Sequence, residues 1–192
     1  MPVLDSTLIA KVARKLSQAP DSRRGQHASI LVAAAGAYCL SGQLDEHLDE
    51  LTRPTGYDPS AARLFEALIE SALVVARGER ALEPAERTAF QNALLLGCSG
   101  YLSEPRVKEL LRDLEEQLAA DGLDHRIQAL GEVVRGPEQA REMLRVSALL
   151  AEALGGVRHG ERALLARLAE RLGVCQSTVD EILVETRRAL QE

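Results

Sequence analysis

A chain of 192 residues and 20.8 kDa, 46% of it hydrophobic, is long enough for one well-cored domain with an extension and too apolar for disorder. With only 3% aromatic residues and no Trp, Leu and Ala must fill the core, which favours helices over sheets. A net charge of -6 and a pI near 5.4 oppose nucleic acid and acidic membranes unless a local patch reverses the field, so protein partners are the default expectation.

Asp5 or Ser6 can cap a first helix in which Leu8, Ile9, Val12 and Leu16 recur at helical spacing, with Pro20 just beyond its end. Lys11, Arg14 and Lys15 on its polar face, with Arg23 and Arg24, make the one clearly basic region: a docking surface or a solvated face. A second helix, roughly Gly25 to Leu40, is apolar nearly all round, which predicts burial between neighbours. An exposed groove beside it would be a docking place. In the QLDEHLDEL stretch that follows, Leu44, Leu48 and Leu51 form one stripe. Asp45 and Asp49 lie one turn apart on the acidic side, where a solvated face is the simpler reading and a bridging cation the sharper one.

The TRPTGYDPS segment reads as a linker or long turn. A helix is predicted from Pro59 to about Ala76, broken at Arg77-Gly78, and another from Pro84 to near Gly97, with Glu83 and Glu86 complementing its positive end. Ser103, Glu104 and Pro105 form a good start for a helix whose stripe is Val107, Leu110, Leu111, Leu114 and Leu118. After Asp121-Gly122 a further helix carries Ile127, Leu130 and Val133. Beyond Gly136-Pro137 another runs to Gly155-Gly156, and the segment 164–183 then describes two short amphipathic helices hinged at Gly173.

Cys39, Cys98 and Cys175 are odd in number, far apart and without zinc-ligand spacing, so reduced core thiols are expected. Cys98 and Cys175 stand at helix boundaries, where a dipole can lower a thiol's pKa, although inert burial is the plainer fate. No phosphate loop, nucleophile elbow or HExxH is present, and His27, His47, His125 and His159 lie in unrelated contexts, so no enzyme and no cofactor are expected. The N-terminus lacks the apolar run of a signal peptide and no stretch is long enough to span a bilayer, which gives the expectation of a soluble, cytoplasmic protein.

ALVVARGERALEPAERTAF and AEALGGVRHGERALLARLA align Gly78 with Gly155 and Glu86 with Glu161 to within two residues; the interval is 155 minus 78, or 77. Each copy is an apolar helix, a glycine break, several polar residues, and a helix opening on Glu-Arg. Together with the close ERALLARLAERLGV, these residues resemble the TerB-like domain of tellurite-resistance proteins and the related domain at the start of some membrane-anchored J-proteins. The likeness extends from about Ala61 to Leu190, some two thirds of the chain.

The resemblance implies an all-α bundle of about 8–10 helices built from duplicated hairpins over 59–192, with 1–58 as a helical extension packed against it. It also implies an acidic Ala-Asp-Gly-Glu break associated with metal. Here Arg77 and Leu154 replace the two Asp residues and Gly156 replaces the second Glu. A residual site would have to use Glu79, Glu83 and Glu86, and a guanidinium among them removes a ligand and adds repulsion, so divalent metal is not expected.

The segment 164–183 also has the spacing of a DNA-binding helix-turn-helix, in which Gln176, Ser177 and Thr178 would reach base edges. Charge weighs against it: from Glu161 to Glu192 five basic residues face six acidic ones, and the would-be reading helix carries Asp180, Glu181 and Glu185. The expectation is therefore a non-catalytic interaction or adaptor module, acting on protein partners or by self-association within a stress-response type assembly. A DNA-binding regulator and a metal-responsive module are the alternatives.

Overall fold

The computed structural model describes residues 5–20, 28–44, 58–78 and 80–191. Two helices form its centre: α3 (Pro59–Arg77) and α7 (Pro137–Ala153). From Leu64 to Ala76 every side chain of α3 except that of Glu66 is buried, because other helices cover it on several sides. At the crossing Ser71 donates to the Leu68 carbonyl at 2.9 Å and Ser147 to the Met143 carbonyl at 2.8 Å, and the two hydroxyls lie 3.1 Å apart. Small residues bring the helices close here, and satisfied hydroxyls remove the cost of burying them.

The remaining helices are α1 (Ser6–Ser17), α2 (Ile30–Leu44), α4 (Pro84–Gly97), α5 (Glu104–Asp121), α6 (Leu123–Val133), α8 (His159–Arg171) and α9 (Gln176–Gln191). The architecture is all-helical, with no strand among the described residues. Local chemistry sets the boundaries. Asp5 accepts from Thr7 N at 2.9 Å and Asp58 from Ser60 N at 2.9 Å, so each caps the helix that follows. The α5 stripe Val107, Leu110, Leu111, Leu114 and Leu118 is buried as its spacing predicts.

Two helices end in the same glycine-closed form. Val174 N donates to Ala169 O at 2.8 Å and Gly173 N to Glu170 O at 3.1 Å at the end of α8. Gly156 N donates to Ala151 O and Gly155 N to Glu152 O, both at 3.3 Å, at the end of α7.

The second helix departs from the sequence reading. It begins at Ile30 rather than near Gly25, because Ala28 pairs with Gln18 in a short bridge and Ser29 Oγ accepts from Val32 N at 3.2 Å as a cap. Its burial is one-sided: Leu31, Val32, Ala34 and Ala35 are buried, while Ala33 is exposed. The α1–α4 contact is close enough that a Cβ on Gly97 would stand 3.0 Å from Leu16 Cβ. The side chains of α1 and α2 thus enter the same core as α3 to α9.

Two buried carboxylates tie the layers together. Glu70 on α3, 3% exposed, receives Arg126 Nε at 2.6 Å and its Nη2 at 2.7 Å, and Arg126 also reaches Asp121 at 3.0 Å. Glu142 on α7, 2% exposed, receives Arg145 at 2.7 and 2.8 Å and the Leu31 amide at 3.4 Å, while Arg145 donates to Lys15 O at 2.8 Å. A charge buried this deeply is tolerated only with such partners. Expectations for Arg23, Arg24, His27, His47, the acidic stretch 45–51 and Glu79 lie outside the described residues.

Candidate functional site: a cleft between the two helix breaks

The repeated motif closes on itself. Arg77 and Ala153 end α3 and α7 at an offset of 153 minus 77, or 76, the same separation as Ser71 and Ser147. Pro84 and His159 begin α4 and α8 at an offset of 159 minus 84, or 75, so the second break is one residue shorter. Both breaks open on one cleft of about 590 Å³, lined by Arg77, Gly78, Arg80 and Glu86 from the first and by Gly156, Arg158, His159 and Glu161 from the second. They approach so closely that a Cβ on Gly78 would lie 3.4 Å from Glu161 Oε1.

Gly78 has φ 58 and ψ -126, a conformation that side-chain-bearing residues avoid. Gly78→Ala is therefore expected to cost about 1–3 kcal/mol, read as a lower urea midpoint at unchanged slope. A midpoint equal to that of the parent chain would contradict the strained geometry.

The acidic residues proposed as metal ligands have other employment. Glu86 accepts from the Glu83 amide at 2.9 Å and from both terminal nitrogens of Arg80, at 2.6 and 2.8 Å. That paired guanidinium holds the Glu86 carboxyl below its ordinary range, with the Glu83 amide and Arg158 adding to the effect. Glu83 is exposed and lies 3.9 Å from Arg80. In the second copy Glu161 accepts from the Arg158 amide at 3.1 Å. Each Glu thus serves its own helix start. Among the described residues no group of three or more metal-ligating side chains comes together.

The would-be DNA-reading residues stand at the start of α9. Gln176 donates to Asp180 at 3.4 Å, and Asp180 also receives Arg162 of α8 at 2.5 Å. Ser177 and Thr178 hydroxyls lie 3.1 and 3.2 Å from Cys175 Sγ. Val179, Ile182, Leu183 and Thr186 pack inward, while Glu181, Val184 and Glu185 face outward, with Val184 65% exposed. Arg141 of α7 reaches Glu185 at 2.9 Å. The first turns of α9 carry Asp180, Glu181 and Glu185, with the exposed Arg187 and Arg188 beyond them, so the end that would read bases opposes phosphate.

The cysteines diverge. Burial pushes the Cys98 thiol up to about 12. Cys175 is exposed, and its hydrogen bonds with Ser177, then Thr178, pull it down to about 7. Only Cys98 follows the expectation of an inert core thiol. Alkylation of the folded chain by iodoacetamide is expected to modify Cys175 with a rate inflecting near pH 7 and to spare Cys98 until unfolding. An inflection at the ordinary value of 9.0 would contradict the assignment.

The basic side of the cleft was not read from the sequence. Arg77 is visible there only as a replaced Asp, and Arg80 and Arg158 carry no pattern of their own; the convergence of the two breaks is what gives them a common site. The Tyr101 ring lies 3.6 Å from where a Cβ on Gly36 would stand, so the open side of α2 is partly covered. No helix among the described residues is long and apolar enough to cross a membrane. Comparisons with family models, curated proteins and solved structures find no match to this chain.

Proposed function

We propose that the chain is a non-catalytic interaction module of the TerB-like kind, which binds a protein partner through the cleft between its two helix breaks. The observation that carries the reading is the convergence of the two breaks, from duplicated hairpins crossing at Ser71 and Ser147, onto a single lined cleft. On this reading the acidic pattern of the resembled family is broken by Arg77 in the first copy and by Leu154 and Gly156 in the second. The partner is then a protein rather than a metal, in an assembly of the stress-response or tellurite-resistance type.

The DNA-binding alternative is weakened by Asp180, Glu181 and Glu185 on the first turns of α9 and by the Gln176–Asp180–Arg162 linkage at its start. The metal-responsive alternative is weakened by Arg80, whose guanidinium occupies both oxygens of Glu86. Quantitative affinity capture from the native host, comparing the parent chain with R77E/R158E, tests the proposal. A protein retained by the parent and lost from the variant supports it. Identical protein sets retained by both would sink it.

A further inference from the structure

The cleft does not end at the breaks. It adjoins a groove of about 420 Å³, floored by Val74, Leu118, Leu123 and Leu164, and the two share Arg77, Gly78 and Gly160. Arg77 therefore stands at the junction of a polar hollow and an apolar one.

Of the three arginines that line the cleft, Arg80 holds Glu86 in an ion pair, whereas Arg77 and Arg158 hold no direct ion pair among the described residues. Among the described residues two carboxylates border the cleft, and both are engaged: Glu86 by Arg80, Glu161 by the Arg158 amide. Among those same residues three guanidiniums line the cleft with these two carboxylates. Arg158 at the N-cap of α8 offers no acceptor, so the first amides of that helix add to the positive field without a side-chain cap.

An occupant must place an anion beside a modest apolar group. A metal ion would be repelled, and a phosphate brings no apolar arm. We propose that the composite site captures the C-terminus of a partner polypeptide. The terminal carboxylate sits between Arg77 and Arg158, and the last apolar side chain lies in the groove over Val74, Leu118, Leu123 and Leu164. The two guanidiniums supply charge-assisted hydrogen bonds, and the groove selects an aliphatic residue at the chain end. The inference deepens the interaction reading given above and rests on it.

Fluorescence anisotropy with the full chain tests it, using a fluorescein-labelled synthetic peptide that ends in leucine, once with a free C-terminal carboxylate and once amidated. The free acid is expected to bind at least about tenfold more tightly than the amide, the loss for one charge-assisted contact set. R77Q/R158Q is expected to lose a similar factor, and Ala163→Glu, at an exposed position on the groove, to weaken binding of the free acid. Arg135→Gln, remote from the cleft, is expected to leave affinity unchanged. The peptide comparison uses the unaltered protein and stands even if a variant folds poorly.

Equal binding of acid and amide, absence of binding by either, or binding of inorganic phosphate with no peptide binding would each overturn the inference. If it is overturned while partner capture still depends on Arg77 and Arg158, the interaction reading survives with a different ligand chemistry. If capture also ignores those residues, both fall.

Discussion

Arg126→Met is expected to destabilise the chain by about 3–5 kcal/mol, because it strands the Glu70 carboxylate inside the fold. Glu70 is 3% exposed and takes two hydrogen bonds from Arg126, at 2.6 and 2.7 Å. Methionine keeps much of the arginine's stem but supplies no donor. A loss of this size is a large part of the roughly 5–15 kcal/mol that holds such a domain together. The same logic makes a sharper test. In the double variant E70M/R126M the charge and its partner disappear together, and most of the loss should be recovered, since an apolar pair of similar volume is often neutral or better. Urea denaturation reads both. A double variant as unstable as Arg126→Met would show that the ion pair is not the source of the effect.

Phe65→Ala is expected to cost about 3–5 kcal/mol through the cavity it leaves, and to loosen α2 more than any other helix. Phe65 is fully buried on α3, and its ring lies 4.9 Å from that of Tyr38 on α2 at an interplanar angle of 36°. α2 depends on this contact because its own sequence has no polar face and its buried side is narrow: Leu31, Val32, Ala34 and Ala35. Phe90→Ala on α4 provides the comparison. Its side chain is equally buried, so a similar global loss is expected without a selective effect on α2. Amide hydrogen exchange distinguishes the two: residues 30–39 should lose protection first in Phe65→Ala, and uniform loss in both variants would contradict the anchoring role.

The helical class and most helix boundaries were legible in the sequence because they rest on local chemistry. The α5 stripe, the prolines at the first turns of α3, α4, α5 and α7, and the glycines at 78, 122, 136 and 173 act over a few residues and need no knowledge of the rest of the chain. The start of α2 was misread because apolar composition cannot reveal that Ala28 is held by Gln18, ten residues earlier.

What stayed hidden is long-range. Glu70 and Glu142 look like surface charges on amphipathic helices until Arg126 and Arg145 are placed against them. Ser71 and Ser147 look like unremarkable polar substitutions until the two helices cross there. The candidate site was half visible. The repeat and its broken acidic pattern could be read, but that the two breaks face each other, bringing Arg77, Arg80 and Arg158 to one cleft, is a property of packing alone.

If the proposed protein-binding role of the cleft between the breaks holds, amide hydrogen exchange of the full chain, with and without the partner recovered by affinity capture, will show new protection concentrated at 76–78 and 154–163, where the two breaks meet, with the outer face of α9 unchanged. Protection confined to 177–185 or to α2, with the breaks exchanging as in the free chain, would contradict it.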